Sequence, residues 1–149
     1  MGVALDEYLW ELSGLHRRLK EIVDGLSADA LDKVPAKDAN SIAVLVTHAL
    51  ASELDWLHRA AARSHERDRD SEFRVRERGA DDLRRAVDEA ESAVPDLVRA
   101  AYEAGLETMR DRPNARPVSV SFCLTHAATH LAEHVGHAEV TRQVVAPGG

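Results

Sequence analysis

The chain has 149 residues, of which 44% are hydrophobic but only 4% aromatic, and 26 acidic against 19 basic side chains give it a formal charge of −7. This length admits one domain over 1–149 with a core of its own, and a core of mostly Ala, Leu and Val favours packed helices over a sheet. The acidic balance argues against nucleic acid as a partner, no apolar run approaches the roughly 18 residues of a membrane span, and a lone cysteine excludes an internal disulfide and fits a reducing, cytoplasmic setting.

The start, "MGVALDEYLW", has no basic stretch leading into an apolar one, so no signal peptide is expected. Leu5, Leu9, Leu12, His16, Leu19, Val23 and Leu26 step by four and three, the seam of an amphipathic helix with Asp6 and Glu7 near its positive end. His16 lies within that seam, either as a core-edge histidine with one hydrogen-bond partner or as pocket lining.

"DGLSADALDKVPAKDANS" breaks the pattern; Ser27 can cap a short helical turn, and Asn40 or Ser41 a second long helix over about 41–62. At about 100° per residue, Ile42, Leu45, Val46, Ala49, Trp56 and Leu57 share one face of it, with His48 on the flank. Glu53 falls near the middle of that apolar face. A carboxylate there is costly unless partnered, so Glu53 reads either as a pocket residue or as an edge acid reaching solvent or an arginine.

Residues 63–79 read as a long charged crossover, and the interleaved signs of "HERDRDSEFRVRER" suit a solvated surface or mobile loop. Ala80, Asp81 and Asp82 open a third helix with the seam Leu83, Val87, Ala90, Val94, Leu97 and Ala101, which Pro95 is expected to kink or divide. "DRPNARP" (111–117) reads as loop. Ser119 or Ser121 can cap a final helix running to about Val145, with 145–149 a frayed tail. Four main helices with a long second connection predict an all-α four-helix bundle.

The final helix carries "LTHAATHLAEHVGHAEVTRQ" (124–143), with four of the eight histidines. With His126 at 0°, His130, His134 and His137 fall at about 40°, 80° and 20°. They form one stripe bordering the apolar sector of Leu124, Ala127, Leu131, Val135 and Ala138. An i, i+4 pair can place two ring nitrogens on one ion. His126 and His134 lie about 12 Å apart along the axis, so this helix should supply two ligands and another helix the rest. His48 is the best outside candidate; a polar face without metal is the alternative. A ferritin-like di-iron centre wants Glu-x-x-His motifs, and only Asp55-x-x-His58 is available. Cys123 reads as a small buried residue rather than a ligand. No Gly-rich phosphate loop or Gly-x-Ser-x-Gly elbow is present.

"NSIAVLVTHALASELDWL" (40–57), taken with the final-helix stretch and "LSADALDKVP", resembles the DinB-like superfamily of small helical metalloenzymes. The resemblance covers nearly the whole chain and extends to the branch containing mycothiol-dependent maleylpyruvate isomerase. It implies metal ligands at His48, His130 and His134. Glu53 matches an acidic position of several relatives and His137 a Gln-or-His position after a Gly, so both become candidates for catalytic roles. His126 matches a frequent His one turn upstream and is assigned to the cofactor side of the pocket.

Three imidazoles on a divalent ion leave positions open, the catalytic rather than structural arrangement. Zn²⁺ or Ni²⁺ suits such a site, and Fe²⁺ also suits imidazole. The resemblance implies transfer of a low-molecular-weight thiol such as mycothiol to a small electrophile, with the metal activating the thiolate. Hydrolysis by metal-bound hydroxide and a non-catalytic metal- or ligand-binding stress protein are the other readings. The Arg-over-Lys, Ala-rich composition points to a bacterial source, and a homodimer is compatible with the sequence without being demanded by it.

Overall fold

A computed structural model describes residues 2–148; Met1, and Gly149 of the expected tail, lie outside it. Four long helices dominate: α1 (Gly2–Val23), α3 (Ile42–Ala60), α5 (Ala80–Ala104) and α6 (Val120–Val145). Two short ones, α2 (Ala28–Asp32) and α4 (Arg69–Glu72), sit in the connections. Serine sets three of the helix starts. Ser27, Ser41 and Ser119 accept hydrogen bonds from Ala30, Val44 and Phe122 main-chain N–H groups, each satisfying a donor that the first turn leaves free. Because α1 begins at Gly2, Asp6 and Glu7 lie beyond its first turn, where they do little for the helix dipole.

The long helices pack in the cyclic order α1–α5–α3–α6, with α3 against α6 the most extensive contact. The apolar seams close on a single core, and Leu12, Leu19, Val46, Leu57, Leu83, Val87, Leu131 and Val135 are fully buried. Ala43 and Ala49 of α3 and Ala127 and Ala138 of α6 are buried in the same core. No helix among the described residues is long and apolar enough to cross a membrane.

Two expectations are corrected. Helix α5 runs undivided through Pro95. Its neighbours Val94, Leu97 and Val98 are buried, so tertiary packing holds the helix across one missing hydrogen bond. The "DRPNARP" segment is no loop but part of an antiparallel hairpin, β1 (Met109–Arg112) and β2 (Ala115–Ser119), in register Met109↔Ser119 and Arg110↔Val118. Pro113 and the left-handed Asn114 (φ 57°) make its two-residue turn, a conformation that Asn tolerates better than most residues. Only Val118 of the hairpin is buried.

Candidate metal centre

Helix α3 presents His48, and the facing edge of α6 presents His130 and His134 one turn apart. One nitrogen from each of the three rings lies within 4.8 Å of the others. The Nε2 atoms of His130 and His134 are 3.2 Å apart. Two nitrogens bound to one tetrahedral ion at about 2.0–2.1 Å must lie roughly 3.3 Å from each other, so this pair already has the spacing of co-ligands. The third ring needs only a small inward movement. The donor set fits a divalent ion: three imidazoles and no carboxylate at the contact point.

The protonation states agree with that reading. Burial, reinforced by the neighbouring imidazoles, lowers the pKa of His130 and takes His134 down from its usual 6.5 to about 4. At neutral pH both rings therefore offer lone pairs rather than protons, as ligation requires. Their Nδ1 atoms are buried without a protein partner, so no carboxylate steers these two rings.

His48 is steered. Its Nδ1 lies 2.8 Å from Glu72 Oε1, and since an ionised carboxylate only accepts, the ring donates from Nδ1 and keeps its Nε2 lone pair free. Arg67 fixes Glu72 in turn, donating from Nε to Oε2 at 2.8 Å and from Nη2 to Oε1 at 2.9 Å. Burial pushes the Glu72 carboxyl up, but Arg67 and then His48 outweigh it and hold it below the usual carboxylate range. Phe73 packs on the His48 ring at 4.9 Å between centroids.

Arg67, Glu72 and Phe73 come from the crossover read as solvated surface. That expectation is wrong for these residues: Glu72 is buried and Arg67 half-buried. Asp68 caps α4 through the Ser71 N–H and turns Glu72 and Phe73 toward α3. The available signal was Phe73, the one aromatic in that charged run.

The remaining candidates divide. Glu53 does not join the three imidazoles: about 140° round α3 from His48, its Oε2 accepts from His16 Nε2 at 2.8 Å within the core. It is neither edge acid nor metal-pocket residue. His137 is exposed, with its ring 5.5 Å from that of His134, and it lines a mostly apolar hollow of about 360 Å³ with Leu45, Val140 and Thr141. His126 stacks on His130 at 5.7 Å and lies 4.5 Å from Trp56, one ring removed from the ligating set. Cys123 is buried and outside the centre.

Comparison with known proteins gives a consistent picture. The profile of the DinB superfamily matches residues 11–138. The chain is similar to the solved structure of a DinB-like protein from Bacillus cereus, with a TM-score of 0.71 and 14% identity over 91% of this chain and 89% of that one. It is also similar to that of a conserved protein from Enterococcus faecalis, with a TM-score of 0.73 and 16% identity over 94% of this chain and 95% of that one. At such identities the likeness speaks for the fold alone. No curated protein matches the chain.

Proposed function

The chain belongs to the DinB superfamily, and we propose that it is a divalent-metal-dependent enzyme that joins a low-molecular-weight thiol, of the mycothiol kind, to a small electrophile. The observation that carries this reading is the convergence of three imidazole nitrogens from two helices within 4.8 Å. Three neutral ligands leave the charge of the ion uncompensated and part of its coordination sphere open, as catalysis needs and a structural site does not.

His48, His130 and His134 would hold the ion, Zn²⁺ or Ni²⁺ by preference and Fe²⁺ as a third choice. When bound, it supplies the Lewis acidity that lowers the pKa of a thiol. Glu72 and Arg67 keep the His48 ring in its ligating tautomer. His137, exposed and one ring from His134, would accept the thiol proton. In transfer, sulfur gives up that proton and bonds to the electrophilic carbon, and the leaving group departs with its electron pair. In isomerisation no group leaves. The thiolate adds to a conjugated carbon–carbon double bond whose π pair moves onto the adjoining carbonyl, and the resulting single bond rotates. Return of that pair re-forms the double bond and expels the thiolate, which takes back its proton.

Elemental analysis of the natively purified chain tests the metal. The wild type should carry bound metal, and His130→Ala and His134→Ala should each abolish it; unchanged metal in both variants overturns the site. The reaction is tested with a panel of thiols and an activated aryl halide. Thiol-dependent consumption supports transfer, thiol-independent hydrolysis points to a hydrolase, and metal without turnover of either kind points to a binding protein.

A further inference from the structure

Six half-buried or exposed arginines, at 17, 18, 63, 67, 84 and 85, each lie within ion-pair distance of a carboxylate. Arg59, Arg110 and Arg112 are among those that do not, although the chain carries more acids than bases. Among the described residues no carboxylate lies within ion-pair distance of any of the three. Arg59 donates from Nη1 to the Asp111 carbonyl, and its Nε is buried without a partner. Arg110 reaches only main-chain carbonyls, those of Ala60 and Met109. The end of α3 and the hairpin bring the three together. Arg59 and Arg112 lie over the Trp56 ring at 5.6 and 5.4 Å, and cation–π attraction holds them there. All three act on the buried Cys123 thiol, whose pKa burial pushes up and they pull down.

Beside this cationic corner stands a run of rings along α6. Phe122, 40% exposed, stacks on His126 at 5.6 Å and 13°, and His126 stacks on His130 at 5.7 Å and 23°. Residues four apart on a helix face the same way, so these near-parallel rings form a ledge leading from the arginines to the three-histidine centre.

We infer that Arg59, Arg110 and Arg112 form a subsite for the anionic end group, a carboxylate or phosphate, of a flat small molecule whose body lies along Phe122 and His126. Guanidinium forks match both groups, and beyond the main-chain carbonyls that Arg59 and Arg110 hold, no protein carboxylate competes for their remaining donors. Anion capture stands on these residues alone. That the captured molecule is the electrophile rests on the proposed metal centre one ring away.

Titrations of the full chain test the subsite, with Trp10→Phe as background so that Trp56 is the reporting fluorophore. The probes are 2-naphthoate, 2-naphthyl phosphate and the neutral 2-naphthol, all with chelator present so that the result does not depend on the metal. The anions should bind at least about tenfold more tightly than the alcohol, and the tighter anion identifies the end group. Arg59→Gln and Arg112→Gln should each weaken anion binding about tenfold while leaving metal content unchanged. Should Arg59→Gln fail to fold, Arg112→Gln on the hairpin carries the test. Equal affinity for naphthoate and naphthol, or undiminished anion binding in Arg112→Gln, overturns the subsite. Loss of metal in His134→Ala with anion binding retained separates this result from the fate of the metal centre.

Discussion

Two histidine–carboxylate pairs lie inside the protein, His16 with Glu53 and His48 with Glu72, each bonded at 2.8 Å. The first ties α1 to α3 in the middle of the core, with both residues 1% exposed and with His16 Nδ1 and Glu53 Oε1 left unpartnered. The second ties α3 to the crossover, and Arg67 satisfies both oxygens of Glu72. The difference is the guanidinium. With it, the carboxylate stays ionised without taking a proton from its histidine, and the ring is left to present Nε2 outward. Without it, the two core residues have only each other as partners, and the worth of the pair lies in holding two helices in register.

The largest expected effect follows from breaking the core pair. Glu53→Ala should cost about 3–5 kcal/mol of unfolding free energy, because it strands a buried imidazole, and urea midpoints measure this. The double replacement His16→Leu with Glu53→Leu should recover most of the loss, since well-packed apolar residues substitute for a buried pair at little cost. Metal content should be unchanged in both. A loss no greater than the roughly 0.5 kcal/mol of a surface substitution would erase the distinction drawn between the pairs.

The site pair should respond in the opposite sense. Glu72→Ala should weaken metal binding about 10- to 100-fold, the usual effect of losing the group that orients a ligating histidine, while destabilising the fold less than Glu53→Ala. Competition with a chelating dye measures the affinity. Arg67→Gln should act in the same direction but more weakly, because Glu72 keeps its bond to His48. A larger effect from Arg67→Gln would mean that the arginine does more than hold Glu72 ionised.

The same contrast explains what could be read in advance. The apolar seams, the serine caps and the imidazole stripe are periodic, and helical geometry converts period directly into a shared face; His130 and His134 needed nothing more to be brought together. His48 required a neighbour across a helix–helix contact, which its place beside an apolar face supplied. Glu72 and Arg67 had no such signature, since an interleaved charge run looks the same whether it is solvated or folded onto an imidazole. The hairpin was hidden for a related reason. Strands with only Val118 buried show no alternation, and two prolines argue for loop. Glu53 was recognisable as an acid needing a partner, yet the partner sat on another helix, in the seam where His16 was read separately.

The smallest effect, and the one most specific to the guanidinium, is a pH dependence. Arg67 and His48 hold the Glu72 carboxyl below its usual range against the opposing pull of burial. A carboxylate with a depressed folded-state pKa contributes stability that is complete above its unfolded value, near 4.5, and is lost as pH falls through the lowered folded value. Protonation of His134, whose pKa is lowered to about 4, also destabilises the metal-free fold as pH falls below 6.5. That contribution is shared by the wild type and by Glu72→Gln, which keeps an acceptor for His48 but no charge. The difference between their thermal midpoints, followed from pH 7 to pH 3 without metal, therefore isolates Glu72. The wild type should melt above the variant at neutral pH, and the gap should close toward the acid end. A gap constant with pH would show that Glu72 works by packing and hydrogen bonding alone, and the guanidinium would no longer distinguish the two pairs.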